Sequence, residues 1–240
     1  MGGKIAEVWV YLSASPLLGL TVTLLAYQAA YAIYQRADMN PLANPVALSV
    51  AFLVALLWFT DTSYATYFDG AQFVHFLLGP ATVALAVPLH ANLGNLKRNL
   101  VPIAGALLVG PLTAAASAVA FGWMLGASPE TLASLAPKSV TTPIAMGIAE
   151  KLGGLPSLTA VLVVTTGILG AVLARGTLNL LRIEDHSVRG FAVGIAAHGI
   201  GTARAFQVSE TMGAFAGLAM GLNGLVSAFL FPVFAQFWHR

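Results

Sequence analysis

Long stretches of this chain carry no charged side chain at all, among them residues 8–34, 100–125, 156–174 and 212–238. A helix needs about 20 apolar residues to cross the ~30 Å hydrocarbon core of a bilayer, and each stretch is about that long or longer. Only 20 of the 240 residues are charged (11 Lys and Arg, 9 Asp and Glu), and 58% are hydrophobic. A soluble domain usually carries about 25% charged residues, so this chain could not cover a water-facing surface. The composition excludes a soluble enzyme, a disordered tail and a coiled coil. The absence of Cys excludes a disulfide-stapled secreted domain. A net charge of +2 with no basic stripe excludes a nucleic-acid partner. What remains is an integral membrane protein whose solvent is the lipid bilayer.

The expected fold is all-α, a polytopic bundle forming a single membrane domain over residues 1–240. Six full spans are predicted, at 8–34, 46–60, 100–125, 156–174, 191–207 and 212–238. Residues 61–72, 126–135 and 175–189 read as loops. Two further segments are interrupted by proline: 73–92 by Gly79-Pro80 and Pro88, and 137–152 by Pro143. Each precedes a clean apolar run, so 73–125 and 137–174 read as two halves of a repeat. Short or Pro-broken segments at matching positions mark the binding site in secondary transporters.

Sidedness of charge adds a direction. Lys and Arg collect in cytoplasmic loops, and here they form four groups: Lys4, Lys97-Arg98, Arg175 to Arg189, and Arg240. If every segment crosses, successive groups alternate sides. If the two broken segments do not cross, all four groups and both termini lie in the cytoplasm, and the repeat halves become inverted.

Three groups of residues are candidates for chemistry. In Lys138-Ser139-Val140-Thr141-Thr142-Pro143, the proline frees a carbonyl. Hydroxyls and a half-helix N-terminus make an anion site, and Lys138 adds a positive charge. Gly79, Pro80 and Thr82 are its counterpart in the first broken segment. In His198-Gly199-Ile200-Gly201-Thr202-Ala203-Arg204, two glycines open the backbone at Gly201 and Thr202. Arg204 is an intramembrane cation suited to a carboxylate, and His198 titrates near neutrality and could carry a proton. Glu150 is a second proton-coupling candidate. On the last span, Gly213, Gly217 and Gly221 allow close helix approach, and Asn223 follows. No metal cluster, phosphate loop or Ser/His/Asp set appears, so neither an enzyme nor a cofactor is expected.

The run from Pro137 to Ala145, the stretch Leu152-Gly153-Gly154-Leu155-Pro156-Ser157-Leu158-Thr159, the HGIGTARA sequence from His198 to Ala205 and Met220-Gly221-Leu222-Asn223-Gly224 together resemble the LrgB/CidB family. The likeness is dense over residues 137–232 and weaker over 41–125. It implies a multispanning protein of the bacterial inner membrane, often found with a smaller LrgA/CidA-type membrane partner. The family's older label is holin-like or antiholin-like, meaning control of murein hydrolase activity and lysis. Its plant members look like the plastid glycolate/glycerate translocator, and bacterial members are linked to short carboxylates such as pyruvate. Two functions follow as expectations. One is alternating-access transport of a small monocarboxylate of the glycolate, glycerate, pyruvate or lactate type. The other is a lysis regulator working as an oligomer or with partners.

Overall fold

In a computed structural model of the chain, residues 16–77, 80, 83, 84 and 86–238 are described. They are overwhelmingly helical, with no strand among them. They fall into two compact units, Met1–Ala84 and Leu85–Arg240.

The first unit contains α1 (Pro16–Arg36), α2 (Pro45–Phe59) and α3 (Tyr64–Phe76). Asn44 starts α2 by accepting hydrogen bonds from the Val46 and Ala47 amides, which satisfies two of the four orphan donors of a helix N-terminus. Residues 61–72 were expected to form a loop, but most of them belong to α3. Ser63 caps the Thr66 amide, and Tyr64, Tyr67 and Phe68 fall at i, i+3 and i+4. Their rings lie against one another on one face. The aromatic content that suggested a loop is instead what holds this helix together. Tyr67 also hydrogen-bonds Thr23 of α1 at 2.7 Å. Residues 78, 79, 81, 82 and 85 of the expected broken segment 73–92, Gly79 and Thr82 among them, lie outside the described residues; Pro80 is exposed.

The second unit begins with two short helices, α4 (Ala86–Ala91) and α5 (Leu93–Arg98). It continues through α6 (Leu100–Met124), α7 (Pro129–Leu135), α8 (Thr142–Lys151), α9 (Pro156–Leu180), α10 (His186–Val208) and α11 (Glu210–Trp238). Four helices among the described residues are long and apolar enough to cross a membrane: Leu17–Arg36, Leu100–Met124, Pro156–Leu180 and Glu210–Phe231. The region from Phe191 to Gln207, expected to be a span, is not among them: Arg189, His198, Arg204 and Gln207 lower the apolarity of its helix.

At His198 the backbone leaves the helical region (φ 40°, ψ −132°) and α10 folds back on itself. His186 at its start and Ser209 just past its end are hydrogen-bonded at 2.7 Å. A straight helix would hold them about 35 Å apart. The two legs, residues 186–197 and 199–208, lie side by side: a Cβ at Gly201 would sit 2.6 Å from that of Ala197 and 2.8 Å from Val193. Both legs then pack along α11. Gly190 and Gly194 meet the carbonyls of Met212 and Ala216, and Gly213 meets the ring of Phe206. The glycines permit an approach that any side chain would block. Gly213 is therefore spent on packing within the chain, whereas Gly221 faces open space.

Residues 129–151 form a second hairpin. The expected loop 126–135 contains α7, capped by Ser128 on the Thr131 amide, with Glu130 in the first turn. Residues 136–141 make the bend, and α8 returns. Its base is fixed to the start of α9: Ser134 accepts from the Leu155 amide at 2.8 Å, and Thr159 donates to the Ser134 carbonyl at 3.1 Å. Ala133, Ile148 and Leu152 pack at this base with Phe231 of α11.

The ends of the unit can now be ordered. Asn99 at the head of α6 and Ser187 at the head of α10 line one cavity, so the Lys97-Arg98 group and the residues 181–189 share an end, as charge bias predicted. From that end the 186–208 hairpin dips in and α11 starts across, reaching the base of the 129–151 hairpin at Phe231. The far end of α11 is thus opposite the Lys97-Arg98 end, whereas the sequence reading had the C-terminus beside it. The physical reason is the fold-back at His198, which removes one crossing. Hairpin 129–151 followed by span α9, and hairpin 186–208 followed by span α11, form a pair of opposite direction.

Candidate functional site at the meeting of two hairpins

The tips of the two hairpins meet near the middle of α9 and α11. Val140 and Ala145 pack on Val163 of α9. His198 reaches α9 at the same level: its Nε2 lies 2.9 Å from the Val163 carbonyl. A carbonyl only accepts, so Nε2 carries the proton and Nδ1 is the nitrogen left to exchange one. The ring abuts Gly167, where a Cβ would stand 2.7 Å from His198 Cε1 and 2.9 Å from Nε2.

Asn223 joins the two tips. It is almost wholly buried, and its Nδ2 donates to the Ser139 carbonyl of one bend (3.1 Å) and to the Ile195 carbonyl beside the other (3.2 Å). Ser227, one turn on, donates to Asn223 Oδ1 at 3.2 Å. Carbonyls at the end of a helical leg have no following turn to serve them, and lipid offers no water. One amide thus satisfies two interrupted backbones at once.

Lys138 and Ser139 sit in the first bend, with Lys138 Nζ 3.3 Å from Ser139 Oγ. Lys138 is within electrostatic range of His198. Thr141 is the N-cap of α8 but makes no side-chain capping bond, and Pro143 follows within the first turn; Thr141 and Thr142 are half-buried. Across the junction, Thr202 is buried and donates to the His198 carbonyl at 2.8 Å, and Gly201 lies between the legs. Two ten-residue helices, α8 and the 199–208 leg, therefore start at this junction from opposite sides. Each turns the positive end of its dipole towards it.

Two predicted residues do not join the cluster. Arg204 is six residues beyond the bend, about 9 Å along its leg, and bonds Gln207 Oε1 at 3.1 Å. Glu150 is exposed near the far end of α8. Sequence reasoning missed the supporting set of Ser134, Thr159, Gly167 and Ser227. The spacing of Ser227 four residues after Asn223 was the available signal for one of them.

The family description "LrgB-like family" matches residues 23–237. The chain belongs to that family. The uncharacterized protein YxaC of Bacillus subtilis strain 168 is 35% identical over 92% of this chain and 95% of its own length. Its compatriot YwbG is 34% identical over 92% of this chain and 98% of its own. A protein of Staphylococcus epidermidis named "Holin-like protein CidB" is 29% identical over 93% of this chain and 96% of its own. No solved structure matches the fold. The LrgB-like chain is thus an all-α membrane protein, some of whose relatives carry the name holin-like. Of the two expected functions, these names favour the lysis-related one, and none of them mentions a carboxylate.

Proposed function

We propose that this LrgB-like chain is a secondary transporter of small monocarboxylates, of the glycolate, glycerate, pyruvate or lactate type. The supporting observation is the pair of oppositely directed hairpins whose tips share Asn223. Broken helices at membrane depth are tolerated only where protein or a water-lined cavity satisfies them. An inverted pair meeting at the midplane is the architecture of alternating-access carriers. The carboxylate binds between the N-termini of α8 and of the 199–208 leg. Ser139, Thr141, Thr142 and Thr202 supply hydroxyls there, Gly201 lets the two legs close together beside the site, and Lys138 supplies charge. His198 Nδ1 handles a coupled proton. Arg204 attracts the anion on the approach from the Lys97-Arg98 end rather than holding it at the junction. With positive charge inside, that end faces the cytoplasm of a bacterial inner membrane, and α11 ends on the outer side.

The relatives' printed name supports a second reading, a holin-like regulator of murein hydrolase activity that works with an LrgA/CidA-type partner or as a homo-oligomer. Uptake into liposomes by purified protein separates the two. Saturable uptake of one labelled acid, abolished by Lys138→Ala and retaining a folded protein, supports transport. Leak of unrelated dyes with no saturable acid would refute it in favour of the holin-like reading. Uptake indifferent to an imposed pH gradient removes His198 from proton coupling.

A further inference from the structure

Beside the incoming leg of the 186–208 hairpin, away from the junction, lies an apolar groove of about 600 Å³ between that leg and α6. Its α6 wall is a stripe of small residues, Ala106, Gly110 and Ala114; its opposite wall includes Val188, Ala192 and Ala196. The helices touch at its floor, where a Cβ on Gly110 would lie 3.0 Å from Ile195. Val109, Val188, Ala192 and Ala196 are exposed, so the groove is open along its side. From Asn99 to Ala114 it follows α6 for about 22 Å. One leaflet of a hydrocarbon core is about 15 Å deep, so the groove suits an extended chain rather than a compact polar solute. Its mouth, at Asn99 and Ser187, adjoins the exposed Lys97 and Arg98.

We propose that this groove binds an anionic phospholipid, one acyl chain lying between α6 and the hairpin and the headgroup held by Lys97 and Arg98. Inside a bilayer an open apolar groove is never filled with water, so its contents are acyl chain or protein. The paired cations at its mouth select the first, with a negative headgroup. The lipid would brace the leg whose other end carries His198. The proposal does not depend on what the junction transports.

The test is fluorescence quenching by brominated lipids, in a background where all four tryptophans are phenylalanine. A single tryptophan replaces Val188 at the mouth or, as a control, Val101, which is 84% exposed on α6 and does not line the groove. The proteins are reconstituted in phosphatidylcholine vesicles with a minor share of dibromo-phosphatidylglycerol or dibromo-phosphatidylcholine. At position 188 the anionic lipid should bind about thirty-fold more tightly, about five-fold for each cation. Lys97→Gln with Arg98→Gln should abolish the preference, and position 101 should show none. Equal quenching by both lipids at position 188 overturns the proposal. So does protection from both, which means that a second copy or residues 1–84 cover the groove. Val109→Trp repeats the measurement from α6 should the Val188 variant fold poorly.

Discussion

Replacing Asn223 by alanine removes three buried hydrogen bonds: two from Nδ2, to the Ser139 and Ile195 carbonyls, and one accepted by Oδ1 from Ser227. Interhelical hydrogen bonds in membrane proteins contribute ~0.6 kcal/mol on average and up to ~1.7. The two carbonyls here have no turn beyond them to fall back on. An unsatisfied buried acceptor costs ~1–3 kcal/mol, although relaxation of the bends recovers part of that. The expected loss is therefore about 2–4 kcal/mol, measured by reversible unfolding in mixed micelles titrated with SDS. Ser227→Ala alone should cost about 0.5–1 kcal/mol. The double variant should be no less stable than Asn223→Ala, because Ser227 has already lost its acceptor. A loss under about 0.5 kcal/mol for Asn223→Ala, or a fully additive double variant, would falsify the claim that this amide ties the two tips together.

Three further outcomes are expected. A disulfide should form readily between cysteines replacing His186 and Ser209, whose side chains touch, shown by a mobility shift on mild oxidation; failure to close would restore a straight α10. Gly167→Val should destabilise by about 1–3 kcal/mol through overpacking against the His198 ring. His198→Ala should recover much of that in thermal melts; no recovery would mean that the clash lies elsewhere. Asp185, in the loop before α10, accepts from the Ser187 hydroxyl and from the Ser187 and Val188 amides. The Ser187 hydroxyl bond, followed by the Val188 amide, holds its carboxyl below the ordinary value. Its capping contribution is thus fully present above the unfolded-state pKa near 4 and fades as pH falls through the depressed folded value. Asp185→Ala should cost about 1 kcal/mol at neutral pH. Unfolding at acid pH should then show the gap to the parent closing; a gap constant down to the lowest pH refutes the cap.

Much of the fold was legible because its signals are local. The apolar run at 100–125 became α6 (Leu100–Met124) and that at 156–174 became α9 with six residues added at its end, since burial in lipid depends on the run itself. The Lys138 to Pro143 break was legible because proline cannot donate and cannot be hidden. Asn223 and His198 were legible as polar groups that lipid would not tolerate alone. Arg204 drew attention for the same reason, but the sequence could not show that the chain turns six residues earlier and carries it away from the junction. The aromatic segment that became α3 was misread because its polarity was visible and its ring-to-ring contacts were not.

The amino-acid sequence by itself determined that this chain lives in a bilayer, roughly where its long apolar helices lie, and which polar groups need partners there. The tertiary structure decided which segments cross. Residues 186–208 have the length of a span and are less apolar than the four candidate spans, but nothing local places the turn at His198. They fold back at His198 because the small-residue faces of α9 and α11, at Gly167, Gly170 and Ala216, accept two legs and a tip, and because Asn223 supplies the donor that the broken backbone lacks. Those partners lie up to 35 residues away in sequence, on both sides of the bend. Satisfying a backbone in lipid is a pairwise matter, and only the folded chain shows which pairs form.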